Sequence, residues 1–171
     1  MFIRRAVDAD LASILAIIRQ AREYLAAQGL PQWQGGHGPD RAAVERDLAD
    51  GEGYVLVTEG AICGYAALTS APDENYAGIT EGQWAEGEDR YASIHRVAIA
   101  PTLRGKGLSK QFLHDLVTAA GVLGYRDIRI DTHPQNQIME KVIFHTGFAY
   151  KGMIRLPIPH GERRAYQLLL D

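Results

Sequence analysis

Apolar residues recur along this chain with two periods, and the periods divide it into elements. Leu11, Ile14, Leu15, Ile18 and Leu25 repeat at three- and four-residue steps, so 9–27 is predicted to be an amphipathic helix. Asp8 stands where its N-cap belongs and Gly29 where its C-cap should end it. Pro39-Asp40 opens a second helix that closes at Gly51. Leu108, Phe112, Leu116 and Ala120 share the face of a third, and 135–145 reads as a fourth. Shorter apolar or alternating runs mark strands at 2–5, 54–58, 61–68, 91–100, 127–132, 148–154 and 164–170. Glu59-Gly60 makes a hairpin of the second and third. The segments 29–39 and 72–89 are left as long loops.

Strands thus outnumber a simple βα alternation. The expected fold is α/β (α+β): a mixed central sheet of about seven strands with about four helices on its faces. No repeat, low-complexity tract or inter-domain linker interrupts the 171 residues, so one domain, 1–171, is expected.

Composition narrows the function. With a net charge of −3 and no basic run, the chain is not expected to bind nucleic acid. No stretch approaches the roughly 20 apolar residues of a membrane span, and the start Met1-Phe2-Ile3-Arg4-Arg5 lacks the apolar core of a signal peptide. The single cysteine, Cys63, excludes an internal disulfide and a Cys-rich metal site, which makes the cytoplasm the expected location. Cys63 lies in a strand-like run and reads as a buried thiol. No histidine spacing suggests zinc, so no metal is expected.

The stretch Arg104-Gly105-Lys106-Gly107-Leu108-Ser109 joins a strand to a helix. Its spacing fits neither G-x-x-x-x-G-K-[ST] nor G-x-G-x-x-G. It fits either a plain basic turn or an anion site, in which glycines permit close approach and the helix start offers unpaired N–H groups.

The wider sequence decides between these. "RVAIAPTLRGKGLS" resembles motif A of the GNAT superfamily, the acyl-CoA-dependent N-acyltransferases. Arg104, Gly107 and Ser109 fill the positions Q/R-x-x-G-x-G/A, with Ser109 departing from the usual Gly or Ala. "NQIMEKVIFHTGF" resembles the family segment N-x-x-A-x-x-x-Y-x-x-x-G-F, matched at Asn136, Gly147 and Phe148.

The resemblance implies a sheet that splays between the strands at 91–99 and 127–132, with acetyl-CoA as co-substrate. The pantetheine arm would pair with the backbone of Val97, Ala98 and Ile99. The pyrophosphate would sit on Arg104, Gly105, Lys106, Gly107, Leu108 and Ser109, and Asn136 would bond the pantetheine. The implied reaction is acetyl transfer to a primary amine of a small molecule or peptide. The family tyrosine that serves as acid falls at Ile143, so the usual acid is missing.

For a base, His95 comes first, two residues before Val97, and His133 second; for both, a structural role stays open. Trp33 and Glu81, the latter in an acidic run with Asp73, Glu74, Glu86, Glu88 and Asp89, are the features expected on the acceptor side. The acids would favour a cationic amine, or merely solvate a loop. Two further readings stay open at this level. One is a coenzyme A-binding module acting through a protein partner, and the other a nucleotide-binding protein that only imitates motif A. The run Leu168-Leu169-Leu170 and the long loops could serve a homodimer.

Overall fold

The structure, a computed structural model, describes residues 1–85, 90–103 and 105–171. Its strands are β1 (Phe2–Arg5), β2 (Gly53–Thr58), β3 (Ala61–Thr69), β4 (Tyr91–Ile99), β5 (Asp127–Thr132), β6 (Ala149–Arg155) and β7 (Glu162–Leu169). They form one mixed seven-stranded sheet in the order β1-β2-β3-β4-β5-β7-β6, with β4 and β5 the parallel pair. The helices are α1 (Leu11–Ala27), α2 (Arg41–Ala49), α3 (Glu74–Ala77), α4 (Leu108–Val122) and α5 (Gln137–His145). No described helix is long and apolar enough to cross a membrane.

Strand alternation sends side chains into two cores. In β2, Tyr54 and Leu56 join the core under α4 and α5, with Phe112, Leu116 and Ile143. Val55 and Val57 join the other core, with Ile14 and Ile18 of α1 and Val44 of α2. Burying each such Leu, Ile or Phe contributes about 1.5–3 kcal/mol. Cys63 is buried and its thiol donates to the Leu56 carbonyl at 3.4 Å.

Two expectations need correction. Asp8 does not cap α1: Asp8–Asp10 is a 3-10 turn and the α-helix starts at Leu11. The carboxylate of Asp10 holds that turn, accepting from the Val7 N–H at 2.9 Å and pairing with Arg4 at 2.6 Å. Nor is 72–85 wholly loop. Asp73 accepts from the Asn75 N–H at 2.8 Å and starts the one-turn helix α3, which makes five helices where about four were expected.

Residues beyond α3 form a strap across β6. Thr80 exchanges backbone hydrogen bonds with Met153 at 2.8 and 2.7 Å. The contact is close because the facing residues are glycines: a Cβ on Gly152 would lie 2.5 Å from the Thr80 carbonyl oxygen. The Trp84 indole donates to the Tyr76 carbonyl at 2.8 Å, and the Arg129 guanidinium lies 4.3 Å from the Trp84 ring centroid and 3.8 Å from that of Tyr91. Gly152→Ala should lower stability by about 1–3 kcal/mol, read from denaturant titration, and expose 78–85 to protease before the sheet unfolds. Unchanged stability and cleavage would show that this approach does not hold the strap.

Candidate active site

The site is built where the sheet opens. The parallel ladder runs from the pair Tyr91 and Asp127 to the pair Ile94 and Ile130, and goes no further. On its other side β4 slips against β3. Tyr65 pairs with Ala98 and Ala67 with His95, so three steps of β4 oppose two of β3. Such a bulge takes a residue out of the ladder and re-aims its neighbours. Arg96, inside it, has φ +59°, a left-handed conformation that costs roughly 1–2 kcal/mol outside glycine.

A buried carboxylate holds this strained turn. Asp47 of α2 accepts from Arg96 Nε at 2.9 Å and from Nη2 at 2.5 Å. The Tyr65 hydroxyl donates to the same carboxylate at 2.5 Å. Burial first, and then Asp47, raise the Tyr65 phenol far above its ordinary value, so it remains a donor.

Past the last ladder pair the two strands form the banks of a cleft of about 1070 Å³. One bank is β4 from Ile94 to Ile99, and the other is Ile130, Asp131 and Thr132. His95, the first residue beyond the ladder, sits between two carboxylates. Its Nε2 is 3.8 Å from Asp73 Oδ2 and its Nδ1 is 3.8 Å from Asp131 Oδ1. Both gaps exceed a direct hydrogen bond. Asp131 accepts from the buried Tyr76 hydroxyl at 2.9 Å and faces Arg163 Nε at 3.8 Å.

Burial sets the titration of this group. It holds His95 below the ordinary histidine value; Asp131 pulls the other way and Arg96 adds to the depression. Burial likewise raises the Asp131 carboxyl, against His95, Tyr76 and Arg163. Tyr76 is pushed well above its ordinary value by burial and then by Asp131. A neutral imidazole here can take up a proton from a group in the cleft, and the resulting cation lies between Asp73 and Asp131.

On the α4 side, Gly107 is the N-cap with φ +74°, and no side chain among the described residues caps the helix. The free N–H groups of its first turn therefore face out to any anion. Gly105 and Ser109 line the cleft, and Lys106 is exposed. Arg104 lies outside the described residues, as do Glu86, Glu88 and Asp89.

The other expected residues divide. Val97, Ala98, Ile99 and Asn136 line the cleft. Asn136 caps α5 through Oδ1, which accepts from the Met139 N–H at 3.2 Å, while its Nδ2 donates to Gln32 Oε1 at 2.9 Å. Trp33 lines the cleft and also packs with Ile17, Ala21 and Ala98. His133 is buried outside the lining, its Nδ1 accepting from the Gln135 N–H at 3.2 Å. Glu81 is exposed and does not line the cleft, whereas Asp73 and Glu74 of the same run do. Ile143 is sealed in the core. Among the described residues no group of three or more His, Cys, Asp or Glu side chains could hold a metal ion.

Sequence reasoning missed Asp131, Tyr76, Arg163 and the Asp47–Arg96 pair. Asp131 had a local signal: in "DIRIDT" the polar residues alternate with isoleucines, so the second face of β5 had to meet something polar. The others are brought in from distant elements and carried none.

The family model described as the Acetyltransferase (GNAT) family matches residues 18–148. A crystal structure of a GNAT-family acetyltransferase from Streptococcus agalactiae is 33% identical, covers 99% of this chain and 95% of its own, and superposes with a TM-score of 0.89. Another, from Listeria monocytogenes, is 23% identical with TM-score 0.78, over 99% and 94% of the two chains. The structure of yncA from Salmonella typhimurium, solved with its cofactor acetyl-CoA, is 21% identical with TM-score 0.68, over 99% and 93%. A search of the curated proteins returned no match.

Proposed function

The chain belongs to the GNAT family of acetyltransferases, and from that premise we propose that it moves the acetyl group of acetyl-CoA to a primary amine of a small molecule or peptide, by direct attack of the amine on the thioester. Acyl transfer from acetyl-CoA is the family's chemistry; the acceptor and the residue roles are our reading. The observation that carries it is His95, whose imidazole stands at the opening of the sheet, 3.8 Å from both Asp73 and Asp131.

The residues fit the co-substrate. Past its last pair with β5, the stretch of β4 from Val97 to Ile99 offers its fork-side backbone to the pantetheine amides, as a sheet edge takes an added strand. The uncapped start of α4, with Gly105, Lys106, Gly107, Leu108 and Ser109, suits the pyrophosphate. Asn136 reaches the same channel by exchanging its bond to Gln32 for one to the pantetheine.

The chemistry needs two kinds of help. An alkyl ammonium titrates near roughly 10.4, so the attacking amine must lose its proton, whereas a thiol near roughly 8.5 leaves readily. His95 takes the amine proton, directly or through one water across its 3.8 Å gaps. The bulge N–H groups polarise the thioester oxygen. We assign the base to His95 over His133 because His133 Nδ1 already accepts a backbone N–H and its ring lies outside the cleft lining.

The acceptor enters past Trp33, Asp73 and Glu74. An exposed charge pair is worth at most about 1 kcal/mol, so Glu74→Gln should raise KM for a cationic amine up to about fivefold and leave kcat unchanged. Unmoved KM would remove Glu74 from recognition. The reading as a whole is tested by thiol release from acetyl-CoA with a panel of amines. Release that grows with one amine supports it, and release that no amine accelerates over the spontaneous rate overturns it.

A further inference from the structure

Thr132 ends β5. Its side chain follows Ile128 and Ile130 onto the face of α4 and α5, while Asp131 points to the opposite face with His95 and Tyr76. The residue is fully buried, it lines the cleft, and its hydroxyl has no hydrogen-bond partner among the described residues. Nearly every buried hydroxyl in a folded protein has a partner, and one left alone destabilises the fold. Valine would fill the same space on a strand without that cost. The other two such atoms, Arg22 Nε and Ser93 Oγ, belong to residues outside the cleft lining. Thr132 is thus the one orphan that stands in the wall of the cleft, among the described residues.

The register says which part of that molecule. Ile130 is level with Ile94 and Asp131 lies beside His95, and counting on one residue along each strand brings Thr132 toward the level of Arg96, at the bulge. The thioester must lie at this level for an amine held by His95 to attack it. The amine comes from the face of Asp131 and His95, and the carbonyl oxygen meets the bulge N–H groups. The pantetheine tail comes from the face of α4, and so the sulfur arrives on the face of Thr132. Ile143, where the family resemblance places a tyrosine acid, is sealed in the core and offers the sulfur nothing.

We infer that the Thr132 hydroxyl donates a hydrogen bond to the thioester sulfur and steadies the thiolate as it leaves. The inference rests on the acetyl-CoA reading above. In the step, the amine nitrogen bonds to the acyl carbon and the C–S bond breaks, its electron pair passing to sulfur. The amine proton goes to His95. Thr132 keeps its proton, and its hydrogen bond strengthens as charge gathers on sulfur. The thiolate is protonated by solvent on release.

The test compares wild type, Thr132→Val and Thr132→Ser. Calorimetry is run with coenzyme A and with desulfo-coenzyme A, which carries hydrogen in place of the thiol. At a pH where the bound thiol is ionised, the valine variant should bind coenzyme A about tenfold more weakly and desulfo-coenzyme A unchanged, with serine restoring the difference. The pKa of the bound thiol, followed by thiolate absorbance, should rise by about one unit in the valine variant, the same tenfold. Unliganded Thr132→Val should melt at or above wild type, which a merely structural hydroxyl would not allow. Equal losses for both ligands, no loss for either, or a lower melting temperature would overturn the inference. If wild type binds neither ligand, the coenzyme reading falls and this inference with it.

Discussion

Replacing His95 by glutamine should lower kcat by about 10²- to 10⁴-fold, the range for losing a positioned general base. The Kd for acetyl-CoA should stay put, because the ring faces the acceptor side of the fork. The pH profile is the sharper readout. Burial holds His95 below its ordinary value, roughly 6.5, so at pH 7 the ring is already the free base. Activity should therefore fall only as pH drops through that depressed value, and the acid limb of kcat/KM should have its midpoint below about 6.5. The glutamine variant should lose that limb. A variant with near-normal kcat and the same limb would place the base elsewhere.

Gly107→Glu should abolish measurable coenzyme A binding, and Gly107→Ala should not. At φ +74°, with nothing within 4 Å of the Cβ it would gain, alanine meets strain and no clash. That strain costs roughly 1–2 kcal/mol. Glutamate carries the same strain and adds a carboxylate to the helix end meant for the pyrophosphate. Two charges about 4 Å apart repel by about 4 kcal/mol at an effective dielectric constant near 20. Solvent screening still leaves a loss of about a hundredfold or more. Calorimetric titration of the three proteins decides it. Equal binding by the glutamate variant would mean that the loop holds no phosphate, and acetyl-CoA would have to lie elsewhere.

What the sequence allowed was set by how far each signal reaches along the chain. The strands of the sheet and the faces of α1 and α4 could be read because alternation and helical spacing are local. The glycine-rich turn into α4 was legible for the same reason. α3 was not, since four residues are too few to show a period. The bulge was beyond reach: nothing near Arg96 announces a left-handed residue in a strand, and Asp47, which compensates for it, is 49 residues away. His95 sits in a strand and His133 just past the end of one, and in sequence the two look alike. They part only when one ring is found in the cleft and the other accepting a backbone N–H. The acidic run was visible as composition, but only the structure separates Asp73 and Glu74, which line the cleft, from Glu81, which does not.

The opening between β4 and β5 also makes this sheet two ladders. One holds β1 to β4 and the other β5, β7 and β6, and four residue pairs join them. In the proposed pose the pantetheine supplies the missing rungs and acts as a removable eighth strand. A single apolar core runs beneath both ladders, so filling the fork should raise the melting temperature of the whole domain, by the usual logarithmic dependence of stability on ligand concentration.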